Sequence, residues 1–306
     1  MRGFARVGFA AGLLAAAAVG HYARTAGRET APGPVTAFYR LFISTILLAP
    51  IFLWRAWGNP AIRSNLIWFP LLAGLFTAGD LALWTSSLAF TTAANATLLG
   101  NTAPLWVALG AWLILKQKLS SLFWRGLLIT LAGAVLIMGT DFILHPRFGV
   151  GDLMATFTGV FYAGYFLFTE KSRGHFDTLA HIWLVGFGAS ISMFFINTAF
   201  QYPLTGYDRS TWLVFLATAL VSQIVGYMAL AYALGHLPAS IVSPTMVLQP
   251  VLTTLLAIPL LKEIPTFWQG IGGAIALVGI YIVNRSHQSG AEKSTDQLPA
   301  DSIPPN

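Results

Sequence analysis

The chain has 306 residues, of which 56% are hydrophobic and only 9% are charged, and its mean hydropathy is +0.69. A soluble domain usually carries about 25% charged residues, so this composition excludes a water-soluble globular protein and predicts an integral membrane protein. Without cysteine there is no disulfide, thiolate metal site or cysteine nucleophile, and the basic residues behind the net charge of +6 form no run that would indicate nucleic-acid binding.

Apolar stretches of about 20 residues, separated by charge, proline and glycine, predict ten transmembrane helices. In chain order they are 3–23, 35–54, 66–89, 93–115, 122–143, 149–170, 178–200, 210–234, 238–261 and 266–284. They are too long and too uniformly apolar for barrel strands, so the fold class is an all-α polytopic membrane protein. The polar residues 285–306, rich in proline and serine, are predicted to form a disordered cytoplasmic tail.

The distribution of lysine and arginine predicts the orientation in the membrane. Eleven of these residues lie on the side of the N-terminus and five on the opposite side, while Arg40 lies within the second segment. Because basic residues accumulate in cytoplasmic loops, both termini are expected in the cytoplasm and the protein in the inner membrane of the cell. The first segment imitates a secretory signal, but its removal would leave nine helices and reverse this charge bias, which argues against cleavage.

An internal repeat relates residues 93–139 to residues 239–285 with a constant offset of 146. The matched pairs are Pro104 and Pro250, Lys116 and Lys262, Gln117 and Glu263, Gly126 and Gly272, and Gly133 and Gly279. Five segments in each half mean that the second copy enters the membrane in the opposite direction. The pattern therefore predicts two inverted five-helix repeats, 1–146 and 147–284. Such repeats are typical of alternating-access transporters with a site at the repeat interface; a duplicated bundle without transport activity is the alternative.

The sequence closely resembles the EamA-type permeases of the drug/metabolite transporter superfamily. The stretches that carry the resemblance are ALAYALGHLPASIVSPTMVLQPVLTTLLAIPLLKE at 229–263 and LWTSSLAFTTAANATLLGNTAPLWVALGAWLILKQ at 83–117. The resemblance implies ten helices with both termini in the cytoplasm, and movement of amino acids, other metabolites or drugs, often outward. The acidic residue that closes the fourth helix of each repeat in that family is present as Glu263 but is Gln117 in the first copy. At a helix end, this position is expected to serve loop geometry rather than solute binding.

Asp80 is an isolated carboxylate inside the third segment. An ionised aspartate at the centre of a membrane helix costs about 2.5–3.5 kcal/mol, so Asp80 is expected to face the bundle interior or an aqueous cavity. Thr77, Trp84 and Ser87 share its helix face. Its estimated depth lies within about 5 Å of the depth of Arg40, which lies farther inside its segment than Arg6 or Arg125 does in theirs. Two hypotheses follow: a buried pair that locks two helices, or a solute anchor or protonation site whose pairing changes during transport.

Polar and aromatic side chains on segments three, four, six and eight predict an aromatic, mostly uncharged cavity. With Asp80, the predicted lining is Trp84, Asn95, Thr102, Tyr162, Tyr165, Gln223 and Tyr227. Each of these residues could instead bond a neighbouring helix, a contact worth up to about 1–2 kcal/mol. Pro104 and Pro250 are expected to kink their helices, free backbone carbonyls and act as hinges; simple packing tolerance is the alternative.

These features predict a secondary transporter that exports small metabolites, such as amino acids or drug-like solutes, by alternating access. Its partners would be the lipid bilayer, the solute, and protons or a counter-substrate. The chain has no His-Glu-x-x-His, Gly-x-Ser-x-Gly or P-loop motif, so no catalytic residue, metal site or cofactor is predicted and ATP would not drive it directly. The histidines are expected to be solvated or interfacial. A membrane-embedded enzyme and a non-transporting assembly subunit are the alternatives.

Overall fold

Helices are the only regular secondary structure in the part of the chain that the structure describes. The computed structural model describes residues 31–56, 65–138, 148–252, 255 and 266–295, and none of these residues lies in a strand. Five helices are long and apolar enough to cross a membrane: Gly33–Arg55, Asn65–Ser87, Thr178–Ala199, Arg209–Leu234 and Phe267–His287. The predicted all-α class is therefore confirmed, whereas the predicted first helix, 3–23, lies outside the described residues.

The helices follow the predicted segments in chain order. They are α1 Gly33–Ala56, α2 Trp68–Ser87, α3 Ala93–Gly100, α4 Ala103–Leu113, α5 Ser121–Met138, α6 Val150–Arg173, α7 Thr178–Ala199, α8 Arg209–Ala217, α9 Tyr227–Leu234, α10 Ala239–Thr245 and α11 Phe267–Thr295. A 3₁₀ turn, Asn65–Ile67, precedes α2, and the π-helical segment Thr218–Gly226 joins α8 to α9. Residues 248–252 form a short helical piece after α10.

Side-chain caps fix several helix starts. Thr92 accepts a hydrogen bond from the Asn95 amide at the start of α3, and Asp177 accepts one from the Ala180 amide at the start of α7. At the start of α8, outside the apolar spans, Asp208 accepts hydrogen bonds from the hydroxyls of Ser210 and Thr211 and from the Thr211 amide. These bonds to the ionised form lower the pKa of the Asp208 carboxyl to about 2, so it caps α8 over the whole physiological pH range.

Two segments that were predicted as continuous helices are interrupted. The fourth segment breaks at residues 101–102, between α3 and α4, and the ninth breaks at residues 246–247. Pro104 and Pro250 follow these breaks, and a proline has no N–H for the carbonyl four residues earlier, which is that of Gly100 or Met246. Hydrogen bonds over three residues continue through both breaks, from the Thr102 amide to the Leu99 carbonyl and from the Val247 amide to the Pro244 carbonyl, so each break is a tighter turn that interrupts the regular α-helix beside the proline where a kink was predicted. With the offset of 146 residues, the two breaks fall at equivalent positions to within one residue.

Helix α5 packs against α11 through glycines that bring the two backbones into contact. A Cβ added at Gly133 would lie 2.4 Å from the Ala276 nitrogen and 2.6 Å from the Gly272 oxygen. A Cβ added at Gly279 would lie 2.8 Å from the Gly126 oxygen. Because Gly126 meets Gly279 while Gly133 meets Gly272, the two helices run antiparallel. We call this contact the glycine seam; it permits a closer approach than any side chain would allow.

Helix α11 continues to Thr295, beyond the predicted end at residue 284. The first part of the predicted disordered tail is therefore helical, and residues 296–306 lie outside the described ones. The physical reason is composition: Gln288, Ala291, Glu292 and Lys293 are good helix formers, and the next proline comes only at position 299.

Helix α6 lies at the centre of the described bundle. It contacts α2, α3, α4, α7, α9 and α10. It is not among the five helices that are both long and apolar enough to cross a membrane, and it carries many polar side chains, several of which are buried, including Thr158, Tyr165 and Thr169. A polar helix surrounded by other helices positions hydrogen-bonding groups inside the bundle rather than against lipid.

Candidate solute site beside two helix breaks

Five charged and phenolic side chains from four helices meet in the interior. Arg40 comes from α1, Asp80 from α2, Tyr162 and Tyr165 from α6, and Tyr227 from α9, and they interact electrostatically. We call this group the tyrosine–charge cluster. The ring centroids of Tyr165 and Tyr227 are 5.5 Å apart in an edge-on contact, and those of Tyr162 and Tyr165 are 6.0 Å apart and stacked. The guanidinium carbon of Arg40 lies 5.9 Å from the centroid of the Tyr227 ring.

The helical periodicity of α2 turns Asp80 toward this cluster. Thr77, Asp80 and Ser87 are 1%, 8% and 0% exposed, whereas Leu75 on the opposite face is 51% exposed. Thr77 and Ser87 donate their hydroxyls to carbonyls of their own helix, those of Ala73 and Trp84. Within the described residues no hydrogen bond reaches the Asp80 carboxylate. On this face, Asp80 is thus an acceptor to which none of the described residues donates.

Arg40 and Asp80 are neighbours but do not form a direct ion pair in this conformation. Across the described chain, no nitrogen of Arg40 lies within 4.0 Å of an oxygen of Asp80, although their charges interact. The Nε and Nη2 atoms of Arg40 are buried without a hydrogen-bond partner. The predicted pairing is therefore not present here as a contact, and the guanidinium lies against Tyr227 instead.

The predicted residues Asn95 and Thr102 lie on α3 and in the break between α3 and α4, respectively. The Thr102 hydroxyl donates to the Leu99 carbonyl at 2.6 Å and accepts from the Trp106 ring nitrogen at 3.2 Å. The Asn95 side chain is 6% exposed, and its Oδ1 has no partner. Thr102 is thus satisfied within its own chain segment, while Asn95 keeps an unused acceptor.

Trp84 and Gln223 are the remaining predicted lining residues. Trp84 approaches Gly100 and Thr158, since a Cβ added at Gly100 would lie 3.8 Å from the Trp84 ring and 3.5 Å from the Thr158 methyl. Gln223 is 1% exposed in the π-helical segment, one turn before Tyr227, and its Oε1 has no partner. A π-helical segment is rare and is often found at functional sites.

A small cavity lies between the two helix breaks. Its volume is about 20 Å³, which is room for one water molecule. Its lining comes from both halves of the chain: Gly100, Asn101, Ala103, Pro104, Tyr162, Phe166, Ser243, Met246, Val247 and Gln249. Tyr162 therefore joins the tyrosine–charge cluster to the breaks, whereas Pro250 is not among the lining residues.

Ser243 belongs to this site and was not predicted. It is 1% exposed, and its hydroxyl oxygen has no partner. The sequence signal was present as a small polar residue directly before Pro244. Sequence reasoning passed over it because serine commonly bonds to the carbonyl one turn earlier, as Thr77 does in α2.

Glu170, near the end of α6, ties the two halves of the chain together. Its Oε2 accepts from the Ala239 amide at 2.7 Å, the first residue of α10, and its Oε1 accepts from the Gln117 amide nitrogen at 3.1 Å. The Ser240 hydroxyl in turn donates to Gln117 at 3.3 Å. This arrangement agrees with the expectation that position 117 serves loop geometry, while its repeat counterpart Glu263 lies outside the described residues. Glu170 was not predicted to have this role.

We expect Glu170→Ala to lower the free energy of unfolding by about 1–3 kcal/mol, because the Ala239 amide is buried and would lose its acceptor. The exposed neighbour Lys171 provides a matched control, and Lys171→Ala should change stability by less than about 0.5 kcal/mol. Melting of the two purified variants in detergent measures the difference. Equal melting temperatures of the two variants would show that the hydrogen bonds of Glu170 do not stabilise the fold.

His181 departs from the expectation of a solvated or interfacial histidine. It is 0% exposed in α7, and its Nδ1 lies 2.8 Å from the Ser172 hydroxyl. The position falls only three residues after the start of its helix, which predicts exposure, yet Ser172 at the end of α6 and Ala231 of α9 pack around that first turn. Its contact with Ser172 is a structural link between α6 and α7.

A larger groove between α1 and α7 has the character of a lipid-facing surface. Its volume is about 480 Å³, and its lining is mainly phenylalanine and aliphatic side chains, with Thr45 and Ser190 as the exceptions. Both hydroxyls are already bonded to carbonyls of their own helices. The groove therefore offers no free polar group to a solute and is not the candidate site.

Comparison with known proteins identifies relatives over nearly the whole chain. The profile of the EamA-like transporter family matches residues 5–139 and again residues 149–285. An uncharacterized transporter of Archaeoglobus fulgidus is 28% identical over 82% of this chain and 88% of its own length. Solute carrier family 35 member G1 of Mus musculus is 23% identical over 78% of this chain and 67% of its own length. One crystal structure superposes with a TM-score of 0.73 at 19% identity, covering 92% of this chain and 96% of the other, and so shares the fold.

Proposed function

The chain belongs to the EamA-like transporter family, and we propose that it is a secondary transporter that exports small metabolites by alternating access. It is a membrane protein of a transporter family, which implies a small-molecule solute and a bilayer as its surroundings. Amino acids and drug-like solutes are the proposed cargo, with protons or a counter-substrate as the proposed driving partner. We infer from the same membership that the chain is not an enzyme.

The observation that carries the proposal is the tyrosine–charge cluster next to two broken helices. Buried ionisable groups inside a membrane protein are costly and mark solute or ion pathways. Transporters place such groups beside discontinuous helices, where freed backbone atoms line a cavity. Here Tyr162 belongs both to the cluster and to the cavity between the breaks. We therefore propose the predicted lining residues as the solute site, with Pro104 and Pro250 as hinges.

We further propose ten helices in two inverted five-helix repeats, 1–146 and 147–284. Three observations support this arrangement: the family profile matches the chain twice, the helix breaks fall at equivalent positions, and the glycine seam is antiparallel. Helices α5 and α11 occupy equivalent positions in the two copies. Inversion of one repeat would make these equivalent helices antiparallel, and adding the 146-residue offset to Gly126 and Gly133 gives Gly272 and Gly279, their contact partners in reverse order. Five segments per repeat then return the chain to the side on which it began.

Both termini are proposed to lie in the cytoplasm of a cell whose inner membrane holds the protein. We expect a tag after Asn306 to be protected from a membrane-impermeant reagent in intact cells and to react after the membrane is opened. A tag placed in the loop before Asp208 should react in intact cells. Labelling of the C-terminal tag from outside would overturn the proposed orientation.

Solute flux into proteoliposomes tests the function directly. The full-length protein is reconstituted, and uptake or release of labelled amino acids, other carboxylates, amines and nucleosides is measured against empty vesicles, with and without a pH gradient. We expect saturable movement of at least one solute class. No flux across the panel would contradict the transporter proposal and favour the enzyme or assembly-subunit alternatives.

A further inference from the structure

We propose that the transported solute carries a carboxylate, and that Arg40 binds this carboxylate side-on through its Nε and Nη2 atoms. The inference rests on the proposed solute site and narrows the chemical class of its ligand. It starts from two buried nitrogens of the half-buried Arg40 side chain, for which the described residues supply no hydrogen-bond partner.

The geometry of the guanidinium selects the ligand. Nε and Nη2 lie on the same edge of the planar group, and their two N–H bonds point in parallel, at the spacing of the two oxygens of a carboxylate. Unpartnered buried donors are rare in folded proteins, and each one calls for an explanation such as a missing ligand. The free pair on Arg40 is the pair that a planar, two-oxygen anion would occupy.

Among the residues that the structure describes, no acceptor fills this position. Asp80, the neighbouring carboxylate, lies more than 4.0 Å from every nitrogen of Arg40, and each residue is among those that the structure describes. The hydroxyl of Thr45, one turn along α1, is bonded to the Leu41 carbonyl instead. The Tyr227 side chain interacts with the guanidinium through its ring, 5.9 Å from ring centroid to Cζ, and through a side-chain hydrogen bond, yet Nε and Nη2 stay without a partner among the described residues.

The charge balance favours a carboxylate over a phosphate. A carboxylate brings one negative charge, so that with Asp80 two negative charges lie around the single positive charge of Arg40. A phosphate monoester brings about −1.5 to −2 at neutral pH, and its excess charge would face the Asp80 carboxylate in the same cluster. The tyrosine rings around the site add apolar surface and phenolic hydroxyls, which suit a small organic acid. Because Nε and Nη2 are closed off from water in this conformation, the carboxylate enters in another conformation of the transport cycle.

Matched pairs of carboxylates and their amides test the inference on the wild-type protein. The panel contains the common amino acids, 2-oxo acids, hydroxy acids and dicarboxylates, each with its carboxamide, together with phenyl phosphate and 2-phenylethylamine. Binding to the detergent-purified full-length protein is measured by the rise in melting temperature with concentration. At least one carboxylate should bind at least about tenfold more tightly than its amide, a difference that the loss of one charge-assisted bidentate contact readily produces.

The variant Arg40→Lys keeps the positive charge but removes the two parallel N–H donors of the guanidinium. It should weaken binding of that carboxylate at least about tenfold. The exposed Arg209→Lys is the matched control and should bind as the wild type does. The inference is wrong if amides bind as tightly as acids, if only the phosphate or the amine binds, if no carboxylate of the panel binds, or if a folded Arg40→Lys binds normally. The wild-type comparison holds even if Arg40→Lys does not fold. A solute that is transported but lacks a carboxylate would refute this inference alone, whereas carboxylate binding without any flux would refute the transporter proposal.

Discussion

The variant Gly133→Ala is expected to destabilise the protein by about 3 kcal/mol or to prevent its assembly in the membrane. The added Cβ would lie 2.4 Å from the Ala276 nitrogen and 2.6 Å from the Gly272 oxygen, distances that real Cβ atoms do not show. Both contacts are backbone atoms, so no side chain can rotate away, and α5 would have to separate from α11. Overpacking of this kind typically costs 1–3 kcal/mol, and a rigid backbone places the cost at the upper end. Yield and melting temperature of the purified protein measure the effect.

Gly270 on α11 provides the matched control. A Cβ at this position would meet nothing within 4 Å. Because alanine favours a helix over glycine, Gly270→Ala is expected to leave stability unchanged or raise it by about 0.5–1 kcal/mol. If Gly133→Ala melted at the wild-type temperature, the glycine seam would not be the close contact described here.

The variant Asp80→Asn is expected to fold and to lose transport by at least about tenfold, a difference of 1.4 kcal/mol in transition-state or binding free energy. Asparagine keeps the size and hydrogen-bonding capacity of the side chain but removes the charge, so any step that needs an ionised or protonated carboxylate is lost. Flux in proteoliposomes measured between pH 5 and pH 8 gives both the rate and its pH dependence. Asp208→Asn is the control, because Asp208 is exposed in a loop and asparagine also caps helices well.

A purely structural role for the two charges makes a different prediction. In that case Arg40→Ala and Asp80→Asn would each impair folding, since each would leave one buried charge without its neighbour. The double variant would then recover both expression and the wild-type pH dependence of flux. That recovery would exclude a coupling role for Asp80.

The interior face of α2 could be predicted because it depends on helical spacing alone. Residues three and seven positions apart share a face, and the cost of an exposed aspartate in lipid fixes which face points inward. The ends of most helices could also be predicted from charge and proline. These inferences need only local sequence and the properties of the bilayer.

The breaks in the fourth and ninth segments could not be located from proline alone. Pro50 lies within the continuous helix α1, and Pro244 lies within α10, whereas Pro104 and Pro250 follow breaks. A proline removes one donor and crowds one carbonyl, and the surrounding helices decide whether the chain bends or opens. Tertiary packing, which the sequence does not display, therefore separates a kink from a break.

The contacts of Glu170 show the same limit. Its carboxylate bonds to an amide that is 69 residues away along the chain. No local periodicity links such distant positions, and Glu170 lies at the boundary of a predicted segment, where a carboxylate is unremarkable. The sequence also could not predict that Nε and Nη2 of Arg40 lack a partner. The similar depths of Arg40 and Asp80 in the membrane suggested a direct ion pair, but no nitrogen of Arg40 lies within 4.0 Å of an oxygen of Asp80.

The glycine seam provides a spectroscopic reference for measuring motion in this protein. Where two backbones are in direct contact, the helices cannot shift without losing close packing. The distance between α5 and α11 is therefore expected to stay constant while distances between other helices change. The chain has no cysteine, so a spin-label pair can be introduced without first removing native thiols. Labels on the exposed positions Leu128 and Tyr281, on the two helices of the seam, would give a fixed ruler. Displacements of α1, α6 or α9 on addition of solute could then be expressed in the frame of the protein itself.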